Sequence, residues 1–117
     1  MSEIIIDVPE LMERVQDDKE LILELFDIFL EDYEKRRVTL EGAVKENNFD
    51  EIGAVSHSLK GAAGNISAKP LRMVLMELEN KGKANDLNGV PELISAMDEA
   101  IVLLKQRIGE LRVELSG

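Results

Sequence analysis

The chain contains one histidine, His57, and the residues around it determine what chemistry it could perform. Lys60 follows one helical turn later, and no carboxylate stands three or four residues to either side. An exposed imidazole is mostly neutral at pH 7, so the ring is a nucleophile without help from a general base. This pair is poorly equipped for hydrolysis, but it can accept an anionic group whose charge the lysine would balance. A phosphoryl group fits, because its transfer needs little beyond positioning and charge.

The helix predicted to carry His57 has two contrasting sides. With an advance of about 100° per residue, the apolar residues fall on one side and His57 falls nearly opposite. The apolar side consists of Ile52, Val55, Leu59, Ala62, Ala63 and Ile66. Each glycine costs a helix about 1 kcal/mol relative to alanine, so the glycines on the His57 side of this helix require a compensating role. We expect a partner protein to dock there, and no second helix to pack there; the docking residues are Gly53, Ala54, Gly61 and Gly64.

The charge distribution also favours a docking surface for an anionic partner. The chain has 24 acids, yet residues 52–76 contain none and include three bases, Lys60, Lys69 and Arg72. By contrast, residues 1–34 contain twelve acids and two bases, which accounts for the whole net charge of −10. We therefore expect the acid-free window to face an anionic group on a partner.

The run HSLKGAAGNI, which begins at His57, resembles the signature of histidine-containing phosphotransfer (HPt) domains. That signature is H-x-L-K-G followed by two small residues, and then commonly by an Asn, an apolar residue and a Gly. The resemblance makes His57 the phospho-accepting histidine and Lys60 the lysine beside it. It makes Gly61 and Gly64 part of the small face that admits the partner. Ser67 stands where the family usually has Gly, and we interpret it as the cap of the next helix.

The resemblance implies that the chain is an intermediate in a phosphorelay. A receiver domain with an aspartyl phosphate would dock on the His57 face, and the imidazole would take the phosphoryl group. A second receiver would then take the group onto its own Asp. The expected partners are response-regulator receiver domains and a hybrid sensor kinase. The Mg²⁺ of the reaction would belong to the receiver. This chain would need no cofactor and bind no ATP, and it has no Walker loop.

Helix signals extend along the whole chain. All three prolines lie where the first turn of a helix would be. Three segments open with a capping box or a close variant, formed by Asp7 with Glu10, Asp17 with Glu20, and Asn48 with Glu51. Apolar residues recur at intervals of three and four, and short polar connections separate the segments. We predict helices at about 8–15, 18–46, 49–66, 69–83 and 90–114. The predicted fold is all-α, an antiparallel four-helix bundle with a short N-terminal helix, in one domain over 1–117.

Composition excludes several other classes of protein. The 117 residues include no cysteine, so a disulfide scaffold, a thiol nucleophile and a Cys-ligated zinc site are excluded. One histidine is too few for a di-metal carboxylate bundle. The net charge of −10 disfavours nucleic acid and anionic membranes as partners. No apolar stretch is long enough to span a membrane, and we expect a monomeric cytoplasmic protein.

Three alternatives to a phosphate carrier remain open. A phosphatase acting on a receiver would use the same docking face but form no stable phosphohistidine. A helical adaptor would bind through the acidic N-terminal region and never carry phosphate. A dimer of bundles would use the apolar seam of the last helix, although the monomer needs the same residues. A dyad of Ser58 with His57 is excluded, because adjacent residues point about 100° apart on a helix.

Overall fold

The computed structural model describes residues 4–116, and these residues form five α-helices. Their bounds are Val8–Arg14 for α1, Lys19–Lys45 for α2, Phe49–Asn65 for α3, Lys69–Lys83 for α4 and Val90–Ser116 for α5. The predicted all-α fold with a short N-terminal helix is confirmed, and every predicted helix end lies within two residues of the observed one. Short turns join successive helices, and α3 packs most extensively against α4.

A mainly aliphatic core lies between helices α2, α3, α4 and α5. Among its largest fully buried side chains are Phe26, Leu40, Ile52, Leu59, Leu75, Leu78, Met97 and Leu104. Burial of each such side chain contributes about 1.5–3 kcal/mol relative to exposure. Because Ile52 and Leu59 are both 0% exposed, the inner side of α3 is held firmly and its outer side keeps one orientation. The long helices bury only one side, and within residues 4–116 none is long and apolar enough to cross a bilayer.

Three of the helices have a side-chain N-cap, and two of these caps, Asp7 and Asn48, are the predicted residues. Oδ1 of Asp7 accepts a hydrogen bond from the backbone N–H of Glu10, and Oδ1 of Asn48 accepts one from Glu51, each at 3.1 Å. The predicted cap at Asp17 is wrong, because that residue is in the left-handed region with φ 61° and still belongs to the turn. Asp18 caps α2 instead, accepting from the backbone of Leu21 at 3.1 Å.

Ser67 does not cap α4, contrary to the sequence interpretation. The N-cap residue is Ala68, which offers no side-chain hydrogen bond. Ser67 is buried, has φ 55°, and its hydroxyl donates to Oε1 of Glu10 at 2.9 Å. This positive φ explains why glycine suits the position, since glycine adopts it without steric cost. In this chain the serine instead joins α1 to the α3–α4 turn, next to the C-terminal end of the His57 helix.

Candidate functional site

His57 lies midway along α3 with its ring directed away from the core. Its side chain is 68% exposed, whereas the inward residues of the same helix are buried. The sequence analysis placed His57 opposite the apolar stripe, and the structure confirms that position. Of the predicted docking residues, Ala54 and Gly61 are exposed, while Gly53 and Gly64 are half-buried.

A carboxylate that the sequence analysis missed contacts the His57 ring. Oε2 of Glu79, from α4, lies 2.9 Å from Nδ1 of His57. An ionised carboxylate only accepts hydrogen bonds, so in the neutral imidazole this contact assigns the proton to Nδ1. The lone pair of Nε2 is then free for a nucleophilic role. Glu79 therefore selects the tautomer that a phosphate-accepting histidine needs.

Glu79 is buried and is held ionised by cations on both of its oxygens. Its side chain is 5% exposed, Lys60 Nζ lies 2.7 Å from Oε1, and Lys83 Nζ lies 3.1 Å from Oε2. Lys60 is the main reason that the pKa of Glu79 falls to about 2 from 4.5, although burial acts in the opposite direction. Lys83 and His57 lower the pKa of Glu79 further. The carboxylate therefore remains charged through the whole neutral range.

The two lysines differ in solvent exposure and in their contacts with Glu79. Lys60 is 21% exposed and is committed to Glu79, but its approach to Oε1 falls outside hydrogen-bond geometry and leaves that buried oxygen without a well-aligned donor. Lys83 is 69% exposed and shares Oε2 with the imidazole of His57. The sequence analysis expected Lys60 alone to supply positive charge beside the ring. The structure brings a second cation, Lys83, to the ring, and Lys83 is the more exposed of the two.

The sequence did contain signals for both missed residues. Glu79 lies on the buried side of α4 with Leu71, Leu75 and Leu78, so it is an acid within an apolar stripe. A buried acid requires a partner, and the unpaired lysine and histidine of the preceding helix are candidates. Lys83 stands four residues after Glu79, which is the spacing of a helical ion pair.

The glycines of the His57 face have different surroundings. A Cβ added to Gly61 would meet no atom within 4 Å, so that position is open. A Cβ at Gly64 would lie 3.6 Å from the side chain of Arg72, which is a flexible neighbour. Gly53, however, faces α4, where the backbone of Gly82 approaches it closely. The expectation that no helix packs on this side is therefore wrong at Gly53, because α3 and α4 cross there.

The site is an open depression between α3 and α4 beside the imidazole. It is lined by Phe49, Asp50, Gly53, Ala54, His57, Ser58, Glu79, Gly82 and Lys83. Within residues 4–116, no cluster of three His, Cys, Asp or Glu side chains could hold a metal ion. The chemistry that these side chains can perform is acceptance of an anionic group on Nε2, with Glu79 on the far side of the ring and Lys83 nearby.

Comparisons with known proteins bear on the family and the fold. The family model described as Hpt domain matches residues 24–113. The fold is similar to the crystal structure of histidine-containing phosphotransfer protein B (HptB) from Pseudomonas aeruginosa PAO1, with a TM-score of 0.88 and 24% sequence identity. That similarity covers 97% of this chain and 98% of the other. No curated protein matches the chain.

Proposed function

The chain belongs to the Hpt domain family, and we propose that His57 takes a phosphoryl group from the aspartyl phosphate of one receiver domain and passes it to another receiver. Family membership implies histidine phosphotransfer in a phosphorelay, and a shuttle rather than an autokinase. The observation that carries the proposal for His57 is its exposed ring, bound through Nδ1 to a buried, ionised Glu79.

The proposed step is an in-line displacement at phosphorus. The lone pair of Nε2 forms the N–P bond while the P–O bond to the donor aspartate breaks and a carboxylate leaves. Nε2 loses no proton in this step, because the proton is held on Nδ1 by Glu79. The phosphorylated ring is a cation, and the carboxylate 2.9 Å away balances its charge. In transfer to the second receiver, the carboxylate of its aspartate forms a P–O bond while the N–P bond breaks and the neutral imidazole leaves.

Charge around the ring favours an incoming phosphoryl group. Lys83 is exposed and shares an oxygen with the ring nitrogen, so it can turn toward phosphate without leaving the site. Lys60 balances the buried Glu79 and through it supports the ring. We propose that Mg²⁺ comes with the receiver and that this chain supplies no cofactor. The chain's own contribution is orientation of the imidazole and compensation of charge.

Docking requires a receiver to approach α3 closely. Gly61 and Ala54 are exposed, and no side chain stands over Gly61. Arg72 lies against Gly64 and is an exposed cation on the same side. A partner with carboxylates around its phosphorylation site fits this surface, because the cations Lys83 and Arg72 are exposed on it. The partners are therefore proposed to be response-regulator receivers, with a hybrid sensor kinase as one source of phosphate.

The test is incubation of the chain with a receiver phosphorylated on its aspartate. We expect the label to move to the chain and to be labile in acid but stable in base, as a phosphohistidine is. His57→Gln should still fold, because Lys60 and Lys83 continue to balance the charge of Glu79, and it should accept no label. Release of inorganic phosphate without a labelled chain would indicate a phosphatase. Binding without loss of receiver phosphate would indicate an adaptor.

A further inference from the structure

Gly82 of α4 is buried against the backbone of α3. A Cβ at this position would lie 2.6 Å from N of Gly53, 2.8 Å from its Cα, and 2.9 Å from the carbonyl oxygen of Phe49. All three are backbone atoms, so no side-chain rotation could relieve the contact. The helices therefore approach each other at this crossing more closely than any residue other than glycine would allow.

The same crossing sets the distance between Glu79 and His57. Glu79 precedes Gly82 by three residues on α4, and both are on the side that packs against α3. To accept a methyl group, α4 would have to move until 2.6 Å became an ordinary 3.4 Å, a displacement of about 0.8 Å. A displacement of that size would lengthen the 2.9 Å contact of Glu79 with Nδ1 beyond the hydrogen-bond range.

We propose that Gly82 is a positioning residue for phosphotransfer. Its missing side chain allows α4 to approach α3 closely enough for Glu79 to hold the proton on Nδ1 of His57. This inference rests on the proposed function of His57, but it concerns a buried residue outside the HSLKGAAGNI run. It also gives Gly53 a role in packing, since Gly53 supplies the surface on which Gly82 lies.

The experiment compares alanine at three glycines in the full chain. Gly82→Ala introduces the clash, whereas Gly42→Ala on α2 and Gly109→Ala on α5 place a methyl group where no atom lies within 4 Å. The combined Gly42→Ala/Gly109→Ala chain serves as a stabilised background for Gly82→Ala. The first readout is the tautomer of His57, measured by long-range ¹H–¹⁵N NMR. The second is the rate of transfer from a phosphorylated receiver, together with the Kd for that receiver.

In the parent and in the background chain, we expect the Nδ1–H tautomer to dominate. In Gly82→Ala it should lose that dominance, and transfer should slow about tenfold to hundredfold, as expected for loss of a hydrogen bond to a charged group. The Kd should change little, because Gly82 is buried under α3. A folded Gly82→Ala chain with the parent tautomer and rate would overturn the proposal. So would failure to fold even in the stabilised background, since the glycine would then serve the whole bundle.

The NMR readout separates this inference from the proposed function. If the parent chain accepts no phosphate, the proposed function fails, while the tautomer of His57 still reports whether Gly82 positions Glu79. If the parent is phosphorylated and Gly82→Ala keeps its tautomer, only the inference about Gly82 fails.

Discussion

Replacing Glu79 with glutamine removes one negative charge from the centre of the site while almost preserving its shape. Glu79 contacts Nδ1 of His57 at 2.9 Å, Lys60 at 2.7 Å and Lys83 at 3.1 Å. The amide oxygen of glutamine can still accept from Nδ1. It cannot balance two ammonium groups, nor the positive charge that a phosphorylated ring carries.

The effect on rate follows from the lost charge. A hydrogen bond to a charged group contributes about 1.5–3 kcal/mol, roughly twice a neutral one. The difference is about 1–1.5 kcal/mol, which corresponds to a phosphotransfer rate about tenfold slower. Binding of the receiver should change far less, because Glu79 is 5% exposed and the partner reaches only its neighbours.

The effect on stability depends on pH in a defined direction. The pKa of Glu79 is about 2 in the folded chain and 4.5 ordinarily, so the unfolded chain binds the proton first as pH falls. Its stabilising contribution is therefore complete above about pH 5 and is lost as pH falls through the range toward 2. With one half-buried and one exposed lysine as partners, we expect Glu79→Gln to cost about 1–3 kcal/mol at pH 7. That is a fall in Tm of roughly 4–12 °C, which should disappear in acid.

The assay pairs rapid-quench phosphotransfer with thermal melts between pH 2 and pH 7. The matched control is Glu77→Gln, two residues away on the same helix, where the side chain is exposed. The control should transfer phosphate at the parent rate and melt at the parent temperature. If Glu79→Gln and Glu77→Gln behaved alike in rate and in pH dependence, Glu79 would not support the imidazole and the argument from the 2.9 Å contact would be refuted.

Three further outcomes can be checked on single substitutions. Lys60→Ala should slow transfer about tenfold to hundredfold while weakening docking less; equal losses in rapid-quench rate and receiver Kd would make Lys60 a docking residue. Gly61→Ala should raise stability by up to about 1 kcal/mol in thermal melts, whereas Gly61→Gln should stay folded yet block transfer; a marked loss of Tm in both would show a packing role. Ser67→Ala should cost about 1 kcal/mol in urea denaturation, through loss of its bond to Glu10, with transfer unchanged. Unchanged stability would contradict that account.

Most of the fold and the outward direction of His57 could be predicted from the sequence. Periodicity of apolar residues depends only on local geometry, and it placed the five helices and the outward direction of His57 correctly. The contact that orients the imidazole could not be predicted in the same way. Contact between Glu79 and His57 joins residues 22 positions apart on different helices, and it depends on where α3 and α4 cross. That crossing is set by Gly53 and Gly82, whose meeting no periodicity predicts.

The predictions of helix caps at Asp17 and Ser67 were wrong for a related reason. Asp17 and Ser67 both have the residue type of an N-cap, yet both have positive φ and belong to turns. Which of two neighbouring residues caps a helix depends on how the preceding turn closes. The buried hydroxyl of Ser67 donates to Glu10 of α1 instead. A side chain expected to bond within its own turn therefore makes a contact that is distant in sequence.

The glycines around His57 perform two tasks that a sequence pattern cannot separate. Gly61 has no atom within 4 Å of its Cβ position, so no packing contact requires its small size, and we propose that the approach of a partner does. Gly82 has backbone atoms at 2.6–2.9 Å, so its small size serves the approach of α4. Alanine should therefore have opposite effects, stabilising the helix at Gly61 and displacing it at Gly82. Both kinds of glycine act on the same imidazole. In the proposed mechanism, Gly61 leaves Nε2 accessible and Gly82 brings a carboxylate to Nδ1, so the ring would need both glycines to accept a phosphoryl group and return it.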